Sequence, residues 1–291
     1  MLRRSCWLLC FISAFPIAAH AQAWLPDKGD FSAAVLYSDV YDTKHYLPDG
    51  DEIDVGHMSS RSIGLAAAYS PSDRMMIVAG LPYVSGAYHG ERPHPGEVDN
   101  GDYHSTFTDL RVEFHYQVSL EPLAFAPYVA LVQPTHDYPS LGHAAPGRNL
   151  QERWIGFFVG KNLDLWIPRT YVQARYNFAF VEKVADVGHD RSNYDLEIGY
   201  FVNPRVSLRA LLFGQETHGG IDVPIPQSNP LFPYHDQLAA ESFLNVGTGA
   251  SYELSPQLSL FALYVTSIKG TNGHKLGRNI TFGISFSPTF D

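Results

Sequence analysis

The last stretch of the chain, Leu276 to Phe286, constrains the fold more than any other. The apolar residues Ile280, Phe282, Ile284 and Phe286 alternate with Asn279, Thr281, Gly283 and Ser285. A period of two sends the two sets to opposite faces of a strand. One face is wholly apolar and the other small or polar. The chain stops at Asp291, so no later segment is expected to bury the apolar face. Either an earlier sheet covers it or lipid does.

The start of the chain reads as a leader. Arg3 and Arg4 make a positive n-region, Cys6 to Ala19 an apolar h-region, and Ala19-His20-Ala21 an A-x-A cleavage site. Residues 1–21 are therefore assigned to a signal peptide, and residues 22–291 to one barrel domain. The h-region is too short to span a bilayer as a helix. Cys6 and Cys10 leave with the leader. The mature chain then has no disulfide, thiolate metal site or cysteine nucleophile, and no cysteine follows the cleavage site to take a lipid anchor. Losing Arg3 and Arg4 takes the formal charge from -10 to -12. No basic stripe offsets phosphate charge, so nucleic acid is excluded as a partner. The mature chain has no apolar run of about 18 residues or more, which excludes a helical membrane protein.

The terminal pattern repeats along the whole chain. Alternating segments run from about Phe31 to Tyr46, Val55 to Tyr69, Arg74 to Ala87, His104 to Val118, Ala124 to Tyr138 and Gln151 to Leu163. Others run from Arg169 to Lys183, Ser192 to Val202, Val206 to beyond Leu212, Ala239 to Tyr252, Gln257 to Ser267, and Leu276 to Phe286. Pro127 and Pro134 interrupt the fifth segment, where bulges are expected because proline removes a ladder donor. Turns near residues 71, 121, 166, 203 and 255 are short, and connections near 50, 95, 143, 187, 228 and 271 are mostly longer. Alternating short and long connections predict an all-β, transmembrane antiparallel up-and-down β-barrel of about 12 strands, with both termini periplasmic. A spanning strand needs roughly 9–11 residues. A soluble secreted β-sandwich would also alternate, but its strands average roughly 5–6 residues, about half the length here.

Three pieces carry a family resemblance: Gly80-Leu81-Pro82-Tyr83-Val84, Thr108-Asp109-Leu110-Arg111 and Pro134-Thr135-His136-Asp137-Tyr138. With them the chain resembles the outer-membrane proteins labelled "MetA-pathway of phenol degradation", a porin-like family, although that family usually has Gly where Thr108 and His136 stand. The aromatic-ended last strand also resembles the C-terminal assembly signal of outer-membrane barrels, except that Asp291 follows Phe290. The resemblance implies a transporter barrel in the cell outer membrane of a Gram-negative bacterium. Its partners would be outer-membrane lipids, the barrel assembly machinery and a small-molecule solute, aromatic or apolar compounds among them. It carries across no catalytic residue and no cofactor.

If the apolar faces meet lipid, the opposite faces line a lumen. That places Arg111, Glu113, His115, Arg175, Asp195, Glu197 and Arg209 inside. They either select solutes or fill a narrow barrel and hold it shut, since about twelve strands is well below the 16–18 of open porins. Glu197 and Arg209 flank the Asn203-Pro204 turn almost evenly and are expected side by side. The histidines (His45, His57, His89, His94, His104, His136, His143, His189, His218, His235 and His274) cluster near the long-connection ends at irregular spacings. No HxH or HxxxH pair marks a metal site, so they read as solvated loop residues and no metal ligand is assigned. The acidic run Asp49 to Asp54 misses the EF-hand spacing and reads as a hairpin tip. His57-Met58-Ser59 superficially looks like the His-x-Ser segment of outer-membrane phospholipases, but Ser60-Arg61 replaces the Asn-Gly that follows there. A lipid hydrolase stays a remote alternative, and a non-channel barrel with binding loops a nearer one. No enzymatic role is assigned. Whether Trp24 and the segment Gln22 to Gly29 fold inward is left open.

Overall fold

An unpaired backbone N–H or C=O in hydrocarbon costs several kcal/mol, so a sheet there must close on itself. The chain does so. The computed structural model describes residues 23–90 and 98–288. The leader, Gln22, His94, Phe290 and Asp291 lie outside the described residues. Strands follow one another in chain order in a single antiparallel sheet, and the last pairs with the first. The fold is a closed barrel of twelve strands.

The strands are β1 (Phe31–Tyr46), β2 (His57–Ser72), β3 (Met75–His89), β4 (His104–Phe107 and Asp109–Tyr116, broken at Thr108), β5 (Ala124–Pro134) and β6 (Glu152–Asn162). They continue with β7 (Thr170–Val181), β8 (His189–Asn203), β9 (Val206–Gly219), β10 (Ser242–Ser255), β11 (Leu258–Thr271) and β12 (Gly273–Phe286). Closure runs from Ala33 opposite Phe286 to Tyr46 opposite Gly273. The acidic run is a hairpin tip, as expected: Glu52–Ile53 pairs back on His45 and Tyr46. Among the described residues, no helix is long and apolar enough to cross a membrane.

The period of two sorts every strand. Val35, Ile63, Leu65, Val129, Ile155, Phe282 and Ile284 face outward, each about half exposed. Their neighbours Leu36, Ala66, Ala130, Trp154 and Thr281 are buried inside. An exposed apolar belt of this extent would be an aggregation surface in water, whereas in hydrocarbon it is the favourable face. The apolar rows do not meet one another across a shared interior, as they would in a sandwich.

Several local expectations are corrected. No bulge forms at Pro127: the ladder reads without slip from Ala124 opposite Gly160 to Val132 opposite Glu152, and Pro134 ends its strand. A lost donor removes one rung but does not insert a residue, so register survives. Register shifts fall instead between Tyr41 and Lys44, Tyr69 and Ser72, and Phe201 and Asn203, and twice along β10. The β11–β12 connection is a single residue, Asn272, at φ 53°. Asparagine tolerates this left-handed region better than most side chains, so one of the long-side connections is tight. The chain's longest connection, 220–241, holds two short helices, Phe232–Tyr234 and His235–Leu238.

Leu65 lies mid-strand on the outward face, opposite Val35 and Leu81. Leu65→Arg is expected to lower the free energy of folding into phosphatidylcholine vesicles by about 2–4 kcal/mol. Urea titration of tryptophan fluorescence would measure it. A change below a few tenths would mean that this face does not meet lipid.

Candidate functional site

Arg111, Glu113, His115, Arg175, Glu197 and Arg209 are all buried within the barrel, and the Asp195 side chain is only 15 % exposed. Arg111 Nε lies 2.9 Å from one Glu113 oxygen, and His115 Nε2 bonds the other at 2.6 Å. Arg175 sits directly opposite Asp195 across β7 and β8, and the pair closes to 2.5 Å. Rings pack over this belt: His115 stacks on Tyr128 and Phe158, and Arg111 lies over Trp154 at 5.3 Å. Nearer the long connections, Arg191 pairs with Glu152, which also accepts a bond from Trp154 Nε1.

Glu197 and Arg209 are not directly opposite one another. The turn falls at Pro204 and Arg205, and beyond the bulge at Phe201/Asn203 Arg209 faces Gly199 and Glu197 faces Leu211, so the two are diagonal neighbours on one face, almost side by side as expected. Glu197 instead accepts from Tyr171 and from Gln173 (3.1 Å), and Arg209 donates to Ser251 Oγ at 2.8 Å. The charged wall runs over β4 and β7–β9. On the facing wall Ser38 and Thr281 share a hydrogen bond at 2.8 Å beside Asn279 and Ala66, with Leu36 and Phe261 buried on the same wall and Asp42 buried nearer the long connections.

The start of the described chain turns into the lumen at the short-turn end. Gln117 binds it from both sides: its Oε1 accepts from Leu25 N at 2.8 Å, and its Nε2 donates to the Ala23 carbonyl at 2.9 Å. Ala23 N donates to Gln173. Trp24 meets Tyr171 edge-on and packs with Leu25 against the interior apolar cluster around Tyr128 and Phe158. Gly160 leaves room for this, because a Cβ there would lie 2.6 Å from Ala23 and Trp24 atoms. The lower lumen is therefore filled.

At the opposite end lies a cavity of about 950 Å3. Its deeper lining includes Ser38, Ser62, Asn245 and Asn279, and its upper lining Tyr46, Tyr88, His143, Phe232 and Phe243. Long connections interlock across the mouth. Asp99 accepts from the backbone of His143 and Ala144 (3.2 and 2.9 Å). Gln237 donates to Ser140 Oγ and the Arg148 carbonyl, Arg148 reaches Glu241 at 3.1 Å, and Asn272 clasps Val223 N and Asp222. Burial raises Glu241 above the usual carboxylate range, against the pull of Arg148. For His143, burial opposes charge, but the Asp236 carboxylate at 3.3 Å and Asp99 more than offset it and lift its pKa above the ordinary histidine value.

The histidines at this end are not all solvated, contrary to the sequence expectation. His143, His189 and His235 are buried, and His45, His143, His274 and His235 converge at the mouth beside Asp236. These five residues come from the end of β1, the 135–151 connection, the 220–241 connection and the start of β12. Their sequence separations hide the convergence. The one available signal was histidine richness at the long-connection ends. His57 lies on the outward face of β2, stacked on His89 and tilted against Tyr41. Among the described residues no hydrogen bond joins it to Ser59.

Comparison with known proteins agrees with this architecture. No family model matches the chain, and no curated protein matches it significantly. Among solved structures it is similar to the COG4313 outer membrane channel from Pseudomonas putida F1, at 15 % identity and TM-score 0.69, covering 91 % of this chain and 98 % of that one. It is similar to the NanC porin at 9 % identity and TM-score 0.51 (87 % and 98 % covered). It is also similar to the translocator domain of the autotransporter NalP from Neisseria meningitidis at 12 % identity and TM-score 0.51 (90 % and 89 % covered). At these identities the likeness is one of fold. The chain has the fold of an outer-membrane β-barrel of the kind that includes channels and porins.

The Arg175–Asp195 pair offers a test of the interior. Asp195→Leu alone strands a buried guanidinium and is expected to cost about 3–5 kcal/mol, while Arg175→Met with Asp195→Leu recovers most of that loss. Urea unfolding of the three proteins would measure it. Equal losses for the single and double variants would mean that the two side chains are not coupled.

Proposed function

We propose that this chain is a narrow outer-membrane channel for small solutes, aromatic and apolar compounds among them, and that it is not an enzyme. The observation that carries the proposal is a cavity of about 950 Å3 at the long-connection end, set over a barrel interior that holds buried charged pairs. A barrel that served only as an anchor would need neither. In this account the long connections face the cell exterior and the short turns the periplasm of a Gram-negative bacterium. Residues 1–21 direct export, the assembly machinery inserts the chain, and outer-membrane lipid surrounds it.

Support for the "MetA-pathway of phenol degradation" family comes from where its three segments fall. Thr108 N donates to Pro82 O, Thr135 N donates to Thr108 O, and Tyr138 OH donates to Asp109 at 2.6 Å. The segments thus form one contiguous seam on β3, β4 and β5, which gives them a structural role. The cavity suits such solutes because Tyr46, Tyr88, Phe232 and Phe243 line its upper part, alongside charged residues such as Asp42 and Glu241, and Ser38, Ser62, Asn245 and Asn279 line its deeper part. Passage then requires the filled lower lumen to open, and Ala23–Leu25 are the removable part of that filling.

In planar bilayers the wild-type protein is expected to give small, discrete conductance steps. Deleting residues 22–26 from the mature chain, or Trp24→Ala, is expected to raise the step several-fold while heat-modifiability on gels is kept. No conductance in either protein would contradict the proposal.

A second reading, a non-channel barrel whose outer loops bind a ligand or partner, draws on the interlocked connections at the mouth. Trimming residues 224–234 would then abolish binding to cells or surface ligands and leave conductance unchanged.

A further inference from the structure

We propose that His45, His143 and His274 form a binding site for a divalent transition-metal ion, zinc above all, with Asp236 supplying the nearby negative charge. One candidate ligand atom from each of the three histidines lies within 4.8 Å of the other two. His274 Nε2 and His143 Nδ1 are 3.3 Å apart. That is long for a hydrogen bond. It is also the edge of a tetrahedron, roughly 3.3 Å, around an ion with bonds of about 2.0–2.1 Å to nitrogen. The rings of His45 and His274 lie 4.2 Å apart, and those of His45 and His143 4.8 Å.

A second observation is independent of this spacing. Both ring nitrogens of His45 are buried and have no hydrogen-bond partner among the described residues. A buried polar group without a partner is unfavourable, and a bound cation would satisfy one of these nitrogens. Asp236 lies 3.3 Å from His143 and 3.5 Å from His235. His143, His235 and Asp236 are also mutually close enough to ligate. The two groups share His143, so the carboxylate sits beside the imidazole triad. Imidazole and carboxylate together suit zinc, copper or nickel rather than calcium or magnesium.

The ligands come from parts of the chain far apart in sequence. An ion there would join the end of β1, the start of β12 and the 135–151 connection, with the 220–241 connection beside it. It would hold the mouth in one arrangement. Neither the site nor this consequence for the loops depends on solute passage, so the channel proposal can fail while this one stands.

The test uses untagged, refolded full-length mature protein in detergent. Zinc titration by calorimetry is expected to show one saturable site per chain, and cobalt substitution the visible absorption of a tetrahedral ion. Zinc should also slow proteolysis of the long connections. His45→Gln and His274→Gln are each expected to weaken zinc at least about 10-fold, a loss of about 1.4 kcal/mol. The same changes at His104 and His218, away from the cluster, are expected to leave affinity unchanged. Heat-modifiability confirms folding of each variant, and His45, with no hydrogen bond to lose, is the variant least exposed to misfolding. Absence of saturable binding in the wild-type protein would overturn the proposal. So would binding that persists unchanged in both cluster variants, or that falls equally in the control variants.

Discussion

Backbone pairing is the constraint on which the rest of this structure depends. No strand of the barrel can leave its N–H and C=O groups open where hydrocarbon surrounds it. Closure of β12 on β1 removes the last edge. Once the sheet is closed, alternation decides everything radial: one set of side chains looks outward and the other must share a narrow interior. Twelve strands give an interior that side chains can nearly fill. Arg111, Glu113, His115, Arg175 and Asp195 therefore end up close enough to pair, and their ionic contacts follow from crowding as much as from any task in solute selection.

The two ends of the lumen solve different problems. At the short-turn end, Gln117 holds the incoming chain by its backbone, and Trp24 and Leu25 fill the space that Gly160 leaves. At the long-connection end, the interior widens into a cavity roofed by loops that bond to each other. Asp99, Gln237 and Asn272 make these bonds largely to backbone groups, which fixes loop positions beside a small apolar cluster of Tyr88, Val98 and Ala144. Between the ends, buried charged pairs lie among large buried side chains such as Tyr128, Trp154, Phe158 and Phe261.

Much of this was legible in the sequence, for a physical reason. A half-buried strand writes its two environments into alternate residues, so β1 and most strand limits could be read to within a few positions. The burial of Arg111, Glu113, His115, Arg175, Glu197 and Arg209 has the same parity. What parity does not encode is register. Glu197 and Arg209 lie one diagonal step apart rather than directly opposite because the turn falls at Pro204 and Arg205, and Pro127 left its ladder in step because a missing donor is not an extra residue. Convergence of loops was also invisible. His45, His143 and His274 lie far apart along the chain and meet only because β12 closes on β1 and the 135–151 connection folds over that seam. The single-residue turn at Asn272 was hidden for a similar reason, since a left-handed asparagine leaves only a faint mark among longer loops.

The central claim is that parity along each strand separates lipid from lumen, and it can be tested residue by residue. The only cysteines are Cys6 and Cys10, so single cysteines placed successively from Ser62 to Ala67 can each carry a nitroxide without background. In vesicles, collision with oxygen, which concentrates in hydrocarbon, is expected to be high at 63, 65 and 67 and low at 62, 64 and 66. A uniform profile, or one with the opposite phase, would contradict the account.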